Sequence, residues 1–139
     1  MGYDLIPKKE GVKSKSGMIF TWPVILQETG AGYLFGYGEN TFDPGYYVYN
    51  NSLDNNGSPV SNDGFEVSKE DAIIMARLFR GYVYVKRTLR EQWLEKSEDE
   101  RAMIKSLFGD KVEPPAEIFL QKIESLAEFF EQSDGFNIF

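Results

Sequence analysis

Arg77, Arg80, Tyr84 and Arg87 stand at i, i+3, i+7 and i+10, a spacing that stacks them along one stripe of a helix, with Arg90 close by. Guanidinium groups grip phosphates in a forked geometry and a tyrosine ring stacks on a base. The stripe therefore has the chemistry to sequester a nucleotide or a signalling oligonucleotide. Alternatively, the arginines neutralise acids: residues 91–139 hold twelve Asp/Glu against five Lys/Arg, and pairing across a surface is ordinary. Charge compensation is preferred, and phosphate capture is kept as the second function.

Other groups offer less. Glu66 with Glu70 or Asp71 supplies two carboxylates for acid-base hydrolysis, but Glu70 and Asp71 are already explained as first-turn charges of a helix. Gly30, Gly32, Gly36 and Gly38 lack the last glycine of the dinucleotide fingerprint, because Phe35 holds that place, and no phosphate-loop Lys-Ser/Thr follows. Ser52, Asp54, Asn56, Gly57 and Asp63 follow a calcium loop only in part: Ser replaces the first Asp, and Asp63 replaces the bidentate Glu. The chain has no histidine and no cysteine, which removes the commonest general base, the commonest zinc ligand and every thiolate. No catalytic residue, metal or cofactor is expected. The chain reads as a non-enzyme.

Tyrosine points to a different chemistry. Tyr33, Phe35, Tyr37, Phe42, Tyr46, Tyr47 and Tyr49 exceed what one face of a small sheet must bury, and tyrosine adds contact area at low entropy cost. Tyr37, Tyr46, Tyr47 and Tyr49 are the candidate protein interface on this count. Glu124, Glu128 and Glu131 join them on grounds of charge, since an acidic face attracts a basic partner and repels a phosphate backbone. A protein partner with a basic surface, or a second copy, is expected; direct nucleic-acid binding is disfavoured.

The elements that must position these groups divide at about Ser68. Before it, Tyr3–Ile6 has the content of a short strand ended by Pro7, and Met18–Phe20 is placed to pair with it. Thr21 caps a short helix with Pro23 in its first turn, Val24, Ile25 and Leu26 inward, and Gly30 as its stop. Gly32–Tyr49 reads as aromatic strands or a hairpin broken by turns, and Asn50–Gly64 as a long polar loop. From Ser68 a long helix runs with Ile74, Leu78, Tyr82, Val85, Leu89 and Trp93 on one face. A second helix opens at Ser97, carries Met103, Ile104, Leu107 and Phe108, and ends at Gly109. A third runs from Pro115 to about Gln132 with Ile118, Phe119, Ile123, Leu126, Phe129 and Phe130 inward. The tail Phe136–Phe139 alternates as an edge strand. The turns Asn62-Asp63-Gly64-Phe65 and Ser133-Asp134-Gly135-Phe136 echo each other.

At 139 residues with 42% apolar and 27% charged side chains, one globular domain over 1–139 is expected. It is an α+β fold, a small antiparallel sheet from the N-terminal half packed against about three C-terminal helices. The absence of cysteine, of a signal-like apolar run and of a long apolar span places it in the cytoplasm, away from membrane.

Three islands, Met1-Gly2-Tyr3-Asp4-Leu5, Asn62-Asp63-Gly64-Phe65 leading into Ile73-Ile74-Met75-Ala76-Arg77, and Ser133-Asp134-Gly135-Phe136, resemble a loose group of small bacterial and phage proteins. The resemblance implies a phage or mobile-element accessory protein and transfers no residue role. In that setting the expected function is non-catalytic binding that inhibits a host defence protein.

Overall fold

The computed structural model describes residues 2–17, 21–35 and 63–139. Its elements in chain order are β1 (Leu5–Pro7), α1 (Thr21–Thr29), a 3-10 turn (Ala31–Phe35), β2 (Phe65–Val67) and α2 (Lys69–Glu95). These are followed by α3 (Glu98–Phe108), a second 3-10 turn (Asp110–Val112), α4 (Glu117–Gln132) and β3 (Phe136–Ile138). The fold is α+β, with a three-stranded antiparallel sheet and four α-helices among the described residues. Among the described residues, no helix is long and apolar enough to cross a membrane.

The sheet order is β1-β3-β2, so the C-terminal tail is its central strand and not the edge strand that alternation suggests. Phe136 and Ile138 are fully buried and Asn137 donates through Nδ2 to the Gly64 carbonyl at 3.2 Å, which leaves β3 engaged on both sides. β1 pairs with β3, and Lys15 adds a single bridge to Leu5. Met18–Phe20, the partner expected for β1, lies outside the described residues. The echo between the two turns is structural. Gly64 and Gly135 both take φ near +93° and each launches a strand whose first residue is a buried phenylalanine.

Capping explains where the helices begin and end. Ser68 Oγ accepts from the Asp71 amide at 3.1 Å and Ser97 Oγ from the Glu100 amide at 3.1 Å, each satisfying an orphan donor. Gly30 (φ +79°) follows α1 and Gly109 (φ +89°) ends α3, as their positions in the sequence predict. α2 continues unbroken through Gly81 for 27 residues. Tyr33–Phe35 belongs to a 3-10 turn and not to a strand.

The core lies where α2 and α4 pack beneath the sheet, with α1 closing one side. Phe130 is its aromatic centre. It meets Phe79 edge-on at 4.8 Å, Trp22 at 6.3 Å and Phe129 at 5.9 Å, and stacks on Phe136 at 5.1 Å. Outside α2, two inward assignments change: Val24 and Ile118 are exposed, with Leu120 buried in α4. Helix α3 buries none of its residues. Trp93 is buried apart from the main core, beside Ile104, Val112 and Pro114.

Candidate functional site

The largest departure from the sequence pattern is on α2. Its core face is Ala72, Met75, Ala76, Phe79 and Val83, a set that also recurs at helical spacing. The stripe Ile74, Leu78, Tyr82, Val85 and Leu89, which the periodicity assigns to the interior, lies about a third of a turn away. Leu78, Val85 and Leu89 are exposed, Val85 by 52%, and Ile74 and Tyr82 are half-buried. Only Trp93, at the far end of that pattern, is buried. Helix α2 therefore carries two apolar faces and one of them faces solvent. An open groove of about 430 Å³ runs along this second face, floored by Leu78, Gly81, Tyr82 and Val85, with Thr29 at its α1 side.

Between the two faces, the arginine stripe meets α4. Arg80 donates to Glu131 from Nε at 3.1 Å and from Nη2 at 2.5 Å, a forked pair. Arg87 bridges two acids, Glu117 at 2.6 Å and Glu124 at 3.0 Å. These hydrogen bonds, with the attraction between the charges, hold the Glu124 and Glu131 carboxyls below the usual carboxylate range and raise both guanidinium groups. Arg80 and Arg87 thus compensate acids. The phosphate-site set is divided: Arg77 is exposed and has no ion pair among the described residues, and Tyr84 is 76% exposed.

The candidate protein interface is divided as well. Glu124 and Glu131 are engaged by arginine, whereas Glu128 is exposed and accepts from the Gln132 amide of its own helix. Tyr37, Tyr46, Tyr47 and Tyr49 lie outside the described residues, as do the calcium-like positions Ser52–Gly57. Of the carboxylates weighed for acid chemistry, Glu66 pairs with Lys8, Glu70 is exposed at the start of α2 and Asp71 is buried in its first turn. Among the described residues, no group of three or more metal-ligating side chains is placed to hold a metal ion.

Leu78 and Val85, which the pattern assigns to the interior, and Gly81 and Lys86 are groove-lining residues that the sequence reading does not place in a site. Their signal is present in the sequence: two interleaved apolar series on one helix leave one series without a place in a small core. Ala72 and Ala76 obscure it, because small residues weigh little in a hydrophobic pattern. Comparison of the chain with protein-family models, with curated proteins and with solved structures gave no match.

Proposed function

We propose that the protein is a non-catalytic binding protein of the cytoplasm that takes a protein partner along the second apolar face of α2. The observation that carries this reading is the exposure of Leu78, Val85 and Leu89 on a helix whose other apolar face already builds the core. A contiguous apolar stripe held in water is disfavoured by about 25 cal/mol per Å² that a partner would cover, and such stripes mark interaction surfaces. In the phage or mobile-element setting implied by the three sequence islands, the partner is a host defence protein and binding inhibits it. The phosphate-capture alternative has less support, since two of its three arginines are held by carboxylates.

Site-specific photo-crosslinking in the producing cells tests this reading. A benzophenone side chain at Val85 or Leu89 should give one dominant protein adduct, and the same group at Lys13 or Glu128 should give none. Equal labelling from all four positions, or none from the stripe, would remove α2 as the contact surface.

A further inference from the structure

The groove on α2 centres on Gly81, where an added β-carbon would meet no atom within 4 Å. Backbone is therefore open to approach in the middle of the apolar stripe, with Leu78 on one side and Val85 on the other. The stripe from Ile74 to Leu89 runs about 22 Å along the helix, or some four turns. So long and open a surface matches the footprint of another helix better than that of a small ligand, which needs a concave site to be covered. A glycine at the crossing point lets two helix axes come close.

Charge identifies the kind of helix. Residues 77–90 contain five cations and no acid, within a chain of net charge −7. Arg80 and Arg87 are paired to α4. Arg77 and Lys86 are not ion-paired among the described residues, and helical geometry sets them on opposite flanks of the stripe. The Lys86 ammonium lies 5.7 Å from the Tyr82 ring centroid, at the rim of the groove. Glu28 of α1 is near enough for its charge to act on Tyr82 but forms no ion pair with Lys86.

We propose that this groove receives an amphipathic helix of the partner protein, its apolar seam packed over Gly81 and its flanking carboxylates paired with Arg77 and Lys86. The proposal rests on the reading of α2 as the contact surface and adds the partner's secondary structure and charge. A second copy of α2 centred at the same place would set only cations against cations around the notch, which disfavours self-association there. The overall negative charge repels an acidic partner at long range, but in physiological salt that field fades over about 8 Å, whereas the flanking cations act at contact.

The test is a fluorescence-anisotropy titration of the intact protein with two monomeric helical peptides of about three heptads. Both have one leucine seam; one is flanked by glutamates and the other by lysines. The glutamate peptide should bind, and the lysine peptide should bind more weakly by about tenfold or more, because each contact then meets a like charge. Gly81→Leu should abolish binding without loss of fold, since leucine is the better helix former and the space beside Gly81 is open. Arg77→Glu combined with Lys86→Glu should invert the preference. Equal affinity for the two peptides would overturn the assignment of charge and leave the contact surface standing. Binding of neither peptide by a protein that still crosslinks through Val85 would overturn the helical partner alone, and failure of both experiments would take the contact surface with it. A dimer in sedimentation that Gly81→Leu dissolves would replace the acidic helix by a second copy.

Discussion

Gly135 shows how one residue fixes the junction of sheet and helices. Its φ of +93° is open to glycine, and a β-carbon there would stand 2.6 Å from the Val67 carbonyl oxygen and 3.0 Å from the Lys69 amide nitrogen. Gly135→Ala should therefore cost more than about 2 kcal/mol in urea unfolding, with backbone strain and overpacking acting together. Gly11 is the control, because it shares the positive φ (+86°) but has nothing within 4 Å. Gly11→Ala should cost only about 1 kcal/mol, the backbone contribution. Equal losses at the two sites would show that the contact with β2 is not made. The carboxylates on α4 give a second expectation. Glu124 and Glu131 are depressed in the folded state, chiefly by their hydrogen bonds to Arg87 and Arg80. Their contribution to stability is complete above the unfolded carboxylate pKa of about 4.3 and is lost as pH falls through the lower folded values. Melting temperature followed downward from pH 6 should fall less steeply in Arg80→Ala/Arg87→Ala than in the parent protein. Parallel curves would mean that the pairs do not form in solution.

Helix α2 shows where sequence pattern suffices and where it does not. Its start is legible because a Ser at the cap and acids in the first turn satisfy local donors, and local chemistry needs no knowledge of the rest of the chain. The helix opened by Ser97 and ended by Gly109 is legible for the same reason. Which face turns inward is a tertiary property. The stripe through Leu78 and Val85 is the more hydrophobic by side-chain size, yet the core takes the slimmer face, where Ala72 and Ala76 allow α4 to approach and Phe79 to reach Phe130. The same limit applies to β3. Alternation shows that the tail is a strand, but only the arrival of β1 on one side and β2 on the other makes it the central one. The arginines on α2 were legible as charge compensation because twelve acids lie downstream; that Arg77 stands apart from Arg80 and Arg87 depends on where α4 runs.

Across the described residues, structure separates into a packed body and an apolar surface that lies outside it. The sheet, α1, α4 and the first half of α2 share one aromatic core, whereas α3 extends beyond it with Met103, Leu107 and Phe108 exposed. Charge follows the same division, since Glu117, Glu124 and Glu131 of α4 are met by arginines of α2 and, among the described residues, Arg77 and Lys86 beside the apolar stripe have no such partners. The apolar stripe that α2, the longest of the described helices, leaves largely in water is the surface proposed to be completed by another molecule. Hydroxyl-radical footprinting of side chains, read in the purified protein and again in concentrated lysate of the producing cells, tests this claim most directly. Leu78, Val85 and Leu89 should be labelled in the pure protein, each in proportion to its exposure and to the intrinsic reactivity of its side chain, and become protected in the lysate, with Phe79 silent in both. Stripe residues as silent as Phe79 in the pure protein would show that the second face is already covered within the chain, and would contradict the account.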